Sequence, residues 1–121
     1  MKQNLELKGL EQFYGTQKYT KCAPFKHILT DGIMFIGESG YSWLVTDVLS
    51  ILEHHPKVSS EVFVSIKFVL NGSSANVKYT DGNKKTLFEQ HYNYTDAKKD
   101  LTLFATDGVL MLSSEYWGEK W

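Results

Sequence analysis

The sequence predicts an α+β fold: a mostly antiparallel sheet of about six or seven strands with one main helix packed across one face. Three observations predict it. The stretch 41–54, YSWLVTDVLSILEH, has the apolar period of a helix, with Leu44, Val45, Val48, Ile51 and Leu52 along one side and Thr46, Asp47, Ser50 and Glu53 on the other. The run 61–70, EVFVSIKFVL, alternates like a strand, placing Val62, Val64, Ile66 and Phe68 on one face. Three Thr-Asp-Gly triplets, at 30–32, 80–82 and 106–108, sit where the chain passes between apolar or alternating runs and read as tight turns.

From the N-terminus, residues 4–14 form a short helix with Leu7, Leu10 and Phe13 on one side and Gly15 as its stop. The segment 16–24 is an irregular connection touching the sheet edge. A hairpin is expected next, with strands 25–29 and 33–36 around Thr30-Asp31-Gly32, because Asp-Gly tolerates the positive φ of a type I′ turn. Ser39 and Gly40 cap the main helix and Pro56 ends it. After the strand 61–70, residues 76–80 and 85–92 continue a meander through Asp81-Gly82-Asn83. Thr95 caps a single helical turn over 96–99, and the last hairpin joins 101–105 to 109–112. The aromatic tail 113–121 packs back on the body, since its large rings would otherwise lie in water.

A chain of 121 residues, 42% hydrophobic and 22% charged, is long enough for one compact domain, 1–121, with its own core. Thirteen basic against fourteen acidic residues give a net charge of −1, which argues against a DNA mimic or a general nucleic-acid binder but leaves room for a local patch. Cys22 is the single cysteine, so no internal disulfide forms. No stretch approaches the roughly 20 apolar residues of a membrane helix, and the N-terminus has no long apolar segment, so the expected location is the cytoplasm. Asn71-Gly72-Ser73 and Asn93-Tyr94-Thr95 fit the glycosylation pattern but read more simply as turns.

Sites of chemistry are scarce. Cys22 and His27 lie five residues apart across Pro24, with nothing in the spacing to bring a thiol onto its base. His54 and His55 diverge by about 100° on a helix and suit the helix C-terminus electrostatically. Asp31, Asp81 and Asp107 are explained by turn geometry, and no phosphate-cradling glycine motif occurs. No catalytic residue, metal or cofactor is therefore expected. The binding surface the sequence offers is a cluster of rings and cations, Tyr79, Lys84, Lys85, Tyr92, Tyr94, Lys98 and Lys99, a mixture suited to stacked single-stranded RNA or an acidic protein surface.

The segments FYGTQKY, LTDGIMFIGESGYSWLVTDVLSIL and LFATDGVLMLSSEYW resemble the markers of a small bacterial and phage domain family of unknown function, over residues 10–117. The resemblance implies a stand-alone α+β domain with no catalytic residues to carry over. By analogy with other small phage and mobile-element proteins it suggests an anti-CRISPR inhibitor. Such a non-enzymatic protein would block a CRISPR effector nuclease, or its guide RNA, by occlusion. The alternatives are a small cytosolic enzyme and a self-associating module that forms a homodimer through Tyr116, Trp117 and Trp121.

Overall fold

The structure, a computed structural model, describes residues 3–119. One sheet of seven strands, β1 (Thr20–Lys21), β2 (Ile28–Leu29), β3 (Phe63–Asn71), β4 (Ser74–Thr80), β5 (Thr86–Tyr92), β6 (Leu101–Thr106) and β7 (Val109–Leu112), runs in the order β1-β2-β7-β6-β3-β4-β5. Every pairing is antiparallel except β2 with β7. The α+β class and the mostly antiparallel sheet are as the sequence predicts.

The helices are α1 (Asp31–Ile36), α2 (Ser42–His54), α3 (Pro56–Ser59) and α4 (Ser113–Glu119). The main helix α2 buries Leu44, Val45, Val48, Leu49 and Leu52. Ile51, expected on that face, is only half-buried, and Leu49 takes the inward position. Burial of each such side chain contributes about 1.5–3 kcal/mol. No side chain caps the N-terminus of α2, so packing rather than capping holds it. His55, with extended φ and ψ, ends it before Pro56, which opens α3.

The core lies between α1 and α2 and one sheet face, where Val64, Ile66 and Phe68 of β3, Val77 and Tyr79 of β4 and Leu103 of β6 are buried. Trp43 of α2 meets Phe68 edge-on, with ring centroids 5.9 Å apart, and Tyr92 at 5.3 Å. Two phenols tie helix to sheet and loop. Tyr92 Oη donates to Asp47 Oδ2 at 2.7 Å. Tyr41 Oη donates to the Leu5 carbonyl at 2.6 Å and accepts from Lys98 N at 3.1 Å.

Several local expectations are corrected. The hairpin at 25–36 does not form: Thr30 is the N-cap of α1, its hydroxyl accepting from Ile33 N, and Asp31 opens the first turn. Thr-Asp-Gly serves equally as cap and first turn. Here both edges of the strand before it are taken, by β1 and by β7, so the chain has no place to return beside it and leaves as a helix. At 106–108 the same triplet does make the expected hairpin, Asp107 and Gly108 taking φ of 54° and 75° between β6 and β7. The helix over 4–14 reduces to a 3₁₀ turn at Leu10–Gln12. Ser39 caps nothing: its hydroxyl bonds back to the Phe35 carbonyl, and the break before α2 is made by Gly40 at φ 117°. No helical turn forms over 96–99; Thr95 Oγ1 instead accepts from Ala97 N at 3.1 Å. Val62 is exposed rather than inward. Trp117 and Trp121, expected to pack back, lie outside the described side chains, whereas Tyr116 does pack back.

Candidate functional site

Three places collect polar or aromatic side chains. The first brings together the Gly-Thr, Thr-Asp-Gly and Ser-Glu-Tyr segments of the sequence. Glu115, in α4, is fully buried. Its Oε1 accepts from Thr30 Oγ1 at 2.6 Å and Leu112 N at 2.9 Å, and its Oε2 accepts from Gly32 N at 2.9 Å. Nearby, Asp31 N donates to Thr16 Oγ1 at 2.9 Å, Gln17 N to Asp31 Oδ2 at 3.0 Å, and Ser114 Oγ to the Phe13 carbonyl at 2.7 Å. The Gly-Thr, Thr-Asp-Gly and Ser-Glu-Tyr segments thus meet in one knot that fastens α1, α4 and the N-terminal segment. The carboxylate already holds three donors, so its role here is structural.

The second place pairs His27 with Glu53 of α2. Glu53 Oε2 lies 2.7 Å from His27 Nδ1 and accepts from the backbone N of His27 and of Lys26, each at 2.8 Å. Burial pushes the Glu53 carboxyl up, but the bonds from the His27 ring and from the two backbone amides outweigh it, so its pKa is lowered. A carboxylate orienting an imidazole is an element of general-base sites. The adjoining crevice, however, has only about 60 Å³ of space, between His27, Val58, Glu61 and Asp107. Sequence reasoning passed over this pair because its members stand 26 residues apart; no local spacing encodes the contact. Cys22 is half-buried against the core. Among the described residues, no three His, Cys, Asp or Glu side chains gather as metal ligands.

The surface expected from sequence is not one surface. Tyr79 is completely buried, with Oη donating to Gln90 Oε1 at 3.0 Å, and burial raises its pKa. Tyr92 is half-buried on the same inner face, bound to Asp47, and its pKa is raised by burial and by that bond. Alternation along β4 and β5 forces both inward, because Tyr79 pairs with Phe88 and Ala75 with Tyr92 on the core side. Lys84 and Lys85 are exposed in the loop between β4 and β5. Tyr94, Lys98 and Lys99 are exposed near the Asn71–Ser74 turn, where Thr95 N donates to the Ser73 carbonyl. The length of β4 puts roughly 20 Å between the two groups.

The third place is the sheet face turned away from α2. Cross-strand register there sets Lys67 of β3 directly opposite Lys78 of β4, with Thr102 on one side of the pair and Glu89 on the other. Both lysines are exposed, and neither is in an ion pair with another described residue. Like charges opposite one another across a sheet repel. One step along, Phe63, Phe104 and Tyr116 form a ring cluster with centroids 5.1, 5.7 and 5.4 Å apart. Phe104 pairs with Ser65, which puts its ring on the diagonal from Lys67. Between the rings and the Asp81–Asn83 loop lies a groove of about 500 Å³, floored by Ser65, Lys67 and Thr102. It continues into a second hollow of about 530 Å³ reaching Lys78, Thr80 and Lys84. Neither Lys67 nor Lys78 stands out in the sequence, because only register shows which lysines meet.

No helix among the described residues is long and apolar enough to cross a membrane. No curated protein and no solved structure matches the chain. Residues 4–116 match the model of a family of unknown function, DUF6876. The match takes in all three places and nearly the whole chain, and the protein therefore belongs to that family.

Proposed function

We propose that the protein is a non-enzymatic binding domain whose contact surface is the open face of its sheet, and that it acts by covering what it binds. The observation that carries this reading is the Lys67–Lys78 row, two like charges set opposite each other beside a ring-walled groove. Such a row costs the free protein stability that an anionic partner returns. By comparison, the crevice beside His27 and Glu53 is too small for an organic substrate, since ligand sites usually enclose about 300–1,000 Å³.

The inhibitor reading is a specific form of this proposal: a phage or mobile-element protein that blocks a CRISPR effector by occlusion. A cationic face favours the guide-RNA side of such a complex over its basic nucleic-acid channel, because like charge would repel it from the channel. Homodimerisation through the aromatic tail is less favoured, since Tyr116 turns its ring onto Phe63 and Phe104 of its own chain.

The test is a tagged pull-down from bacterial lysate comparing the wild type, a Lys67→Glu/Lys78→Glu variant and a Lys98→Glu/Lys99→Glu control. A stoichiometric partner recovered by the wild type and the control, and lost from the first variant, supports the proposal. Equal recovery by all three proteins, or no partner for any, overturns it.

A further inference from the structure

Resting on that reading, we infer that the open sheet face binds single-stranded nucleic acid, with bases stacked against the Phe63, Phe104 and Tyr116 wall and phosphates held by Lys67, Lys78 and Lys84. Two features in register carry this. The first is the cation row: Lys67 and Lys78 are cross-strand neighbours, with Cα atoms about 5 Å apart. Lys84 stands at the rim of the same hollow. The second is the ring wall, partly exposed and one diagonal from Lys67. An acidic peptide offers the lysines charge alone, whereas a nucleotide offers a phosphate and a flat π face together.

The strand must be single. Bases in a duplex are stacked on one another and have no face to offer a protein ring, and three lysines span only a few phosphates. Two acids bound the track. Glu89 lies opposite Lys78 on β5, and Asp81 stands at the groove rim with its Oδ1 accepting from Asn83 N at 2.8 Å. The phosphates therefore run along Lys67 and Lys84 rather than outward across β5. Thr102 and Ser65, on the groove floor, offer hydroxyl groups beside that path.

The experiment is fluorescence anisotropy of the full chain with labelled ten-nucleotide oligo-U, oligo-dT and a ten-base-pair duplex, with polyglutamate as competitor. Expected is saturable binding of a single strand in preference to the duplex. Its log–log salt slope should be about −1.4 to −2.1, or about −0.7 per phosphate for two or three contacts. Lys67→Ala/Lys78→Ala should weaken binding at least tenfold and flatten the slope. Phe104→Leu should weaken it about tenfold with the slope unchanged, as loss of a stacking ring does. Lys98→Ala/Lys99→Ala should bind like the wild type. The lysine variants are on the surface and test the inference even if Phe104→Leu proves unstable. A preference for oligo-U over oligo-dT, or the reverse, supports the inference. No single-strand binding, equal binding of duplex, or equal loss in the Lys98→Ala/Lys99→Ala protein overturns it. Displacement by polyglutamate at equal charge concentration also overturns it and assigns the face to an acidic protein. The pull-down decides the broader proposal separately, because it scores capture of any partner through Lys67 and Lys78.

Discussion

Replacing Glu115 tests whether the knot of sequence motifs holds the fold together. Its carboxylate is fully buried and serves three donors, Thr30 Oγ1, Leu112 N and Gly32 N. Glu115→Gln keeps the shape. The amide is best placed with its carbonyl at the Oε1 position, where two donors converge. Its NH₂ then faces Gly32 N, which loses its acceptor and gains a repelling donor. An unpaired buried donor costs about 1–3 kcal/mol, so the expected loss is about 2–3 kcal/mol. Glu115→Ala strands two backbone amides, Leu112 N and Gly32 N, and leaves the buried Thr30 hydroxyl without its acceptor. The expected loss is about 3–5 kcal/mol, a large share of the about 5–15 kcal/mol of a typical domain. The assay is urea unfolding at pH 7 followed by far-ultraviolet circular dichroism, with the m-value checked for constancy. Because Thr30 and Glu115 touch, Thr30→Val combined with Glu115→Gln should cost less than the sum of the two single changes. A Glu115→Gln loss below about 0.5 kcal/mol, the range of neutral surface changes, would refute the reasoning.

Two further outcomes concern pH. The Glu53 pKa is lowered in the folded protein: burial pushes it up, but the bonds from the His27 ring and the His27 and Lys26 amides prevail. The stability it contributes is therefore present above the unfolded carboxylate pKa and is lost as pH falls through the lower folded value. Glu53→Gln should lower stability at pH 7 and flatten the acid limb of the stability–pH curve; an unchanged limb would remove the pair from the account. At the alkaline end, burial raises the pKa values of Tyr41, Tyr79 and Tyr92, assisted at Tyr92 by its bond to Asp47. Stability from these phenols is complete below about pH 10 and lost as pH rises through their folded values. A phenolate-absorbance titration should show Tyr79 and Tyr92 ionising together with unfolding and Tyr41 above the usual phenol range. One reversible phase containing all seven would contradict this.

Much of the fold was legible because its signals are local. The 3.6-residue period over 41–54, the alternation over 61–70 and the Asp-Gly turn at 107–108 each depend on side-chain direction or turn geometry within a few residues. The same locality explains the error at Thr30-Asp31-Gly32. Those three residues suit a hairpin and a helix N-terminus alike, and only the pairing of both edges of β2, with β1 and with β7, selects the helix. The expected Tyr and Lys surface failed for a related reason. Residues close in sequence are not thereby close in space: alternation turns Tyr79 and Tyr92 inward and β4 carries Lys84 away from Lys98.

By itself, then, the sequence determined the class of fold, the main helix, the β3-β4-β5 meander and the β6-β7 hairpin. The tertiary structure decided which polar groups meet: Glu115 with Thr30 and Gly32, Glu53 with His27, and Lys67 with Lys78. The physical reason is one of range. Periodicity and turn chemistry act over a few residues. Cross-strand register and the burial of a carboxylate are set by segments tens of residues apart, brought together only when the whole core closes.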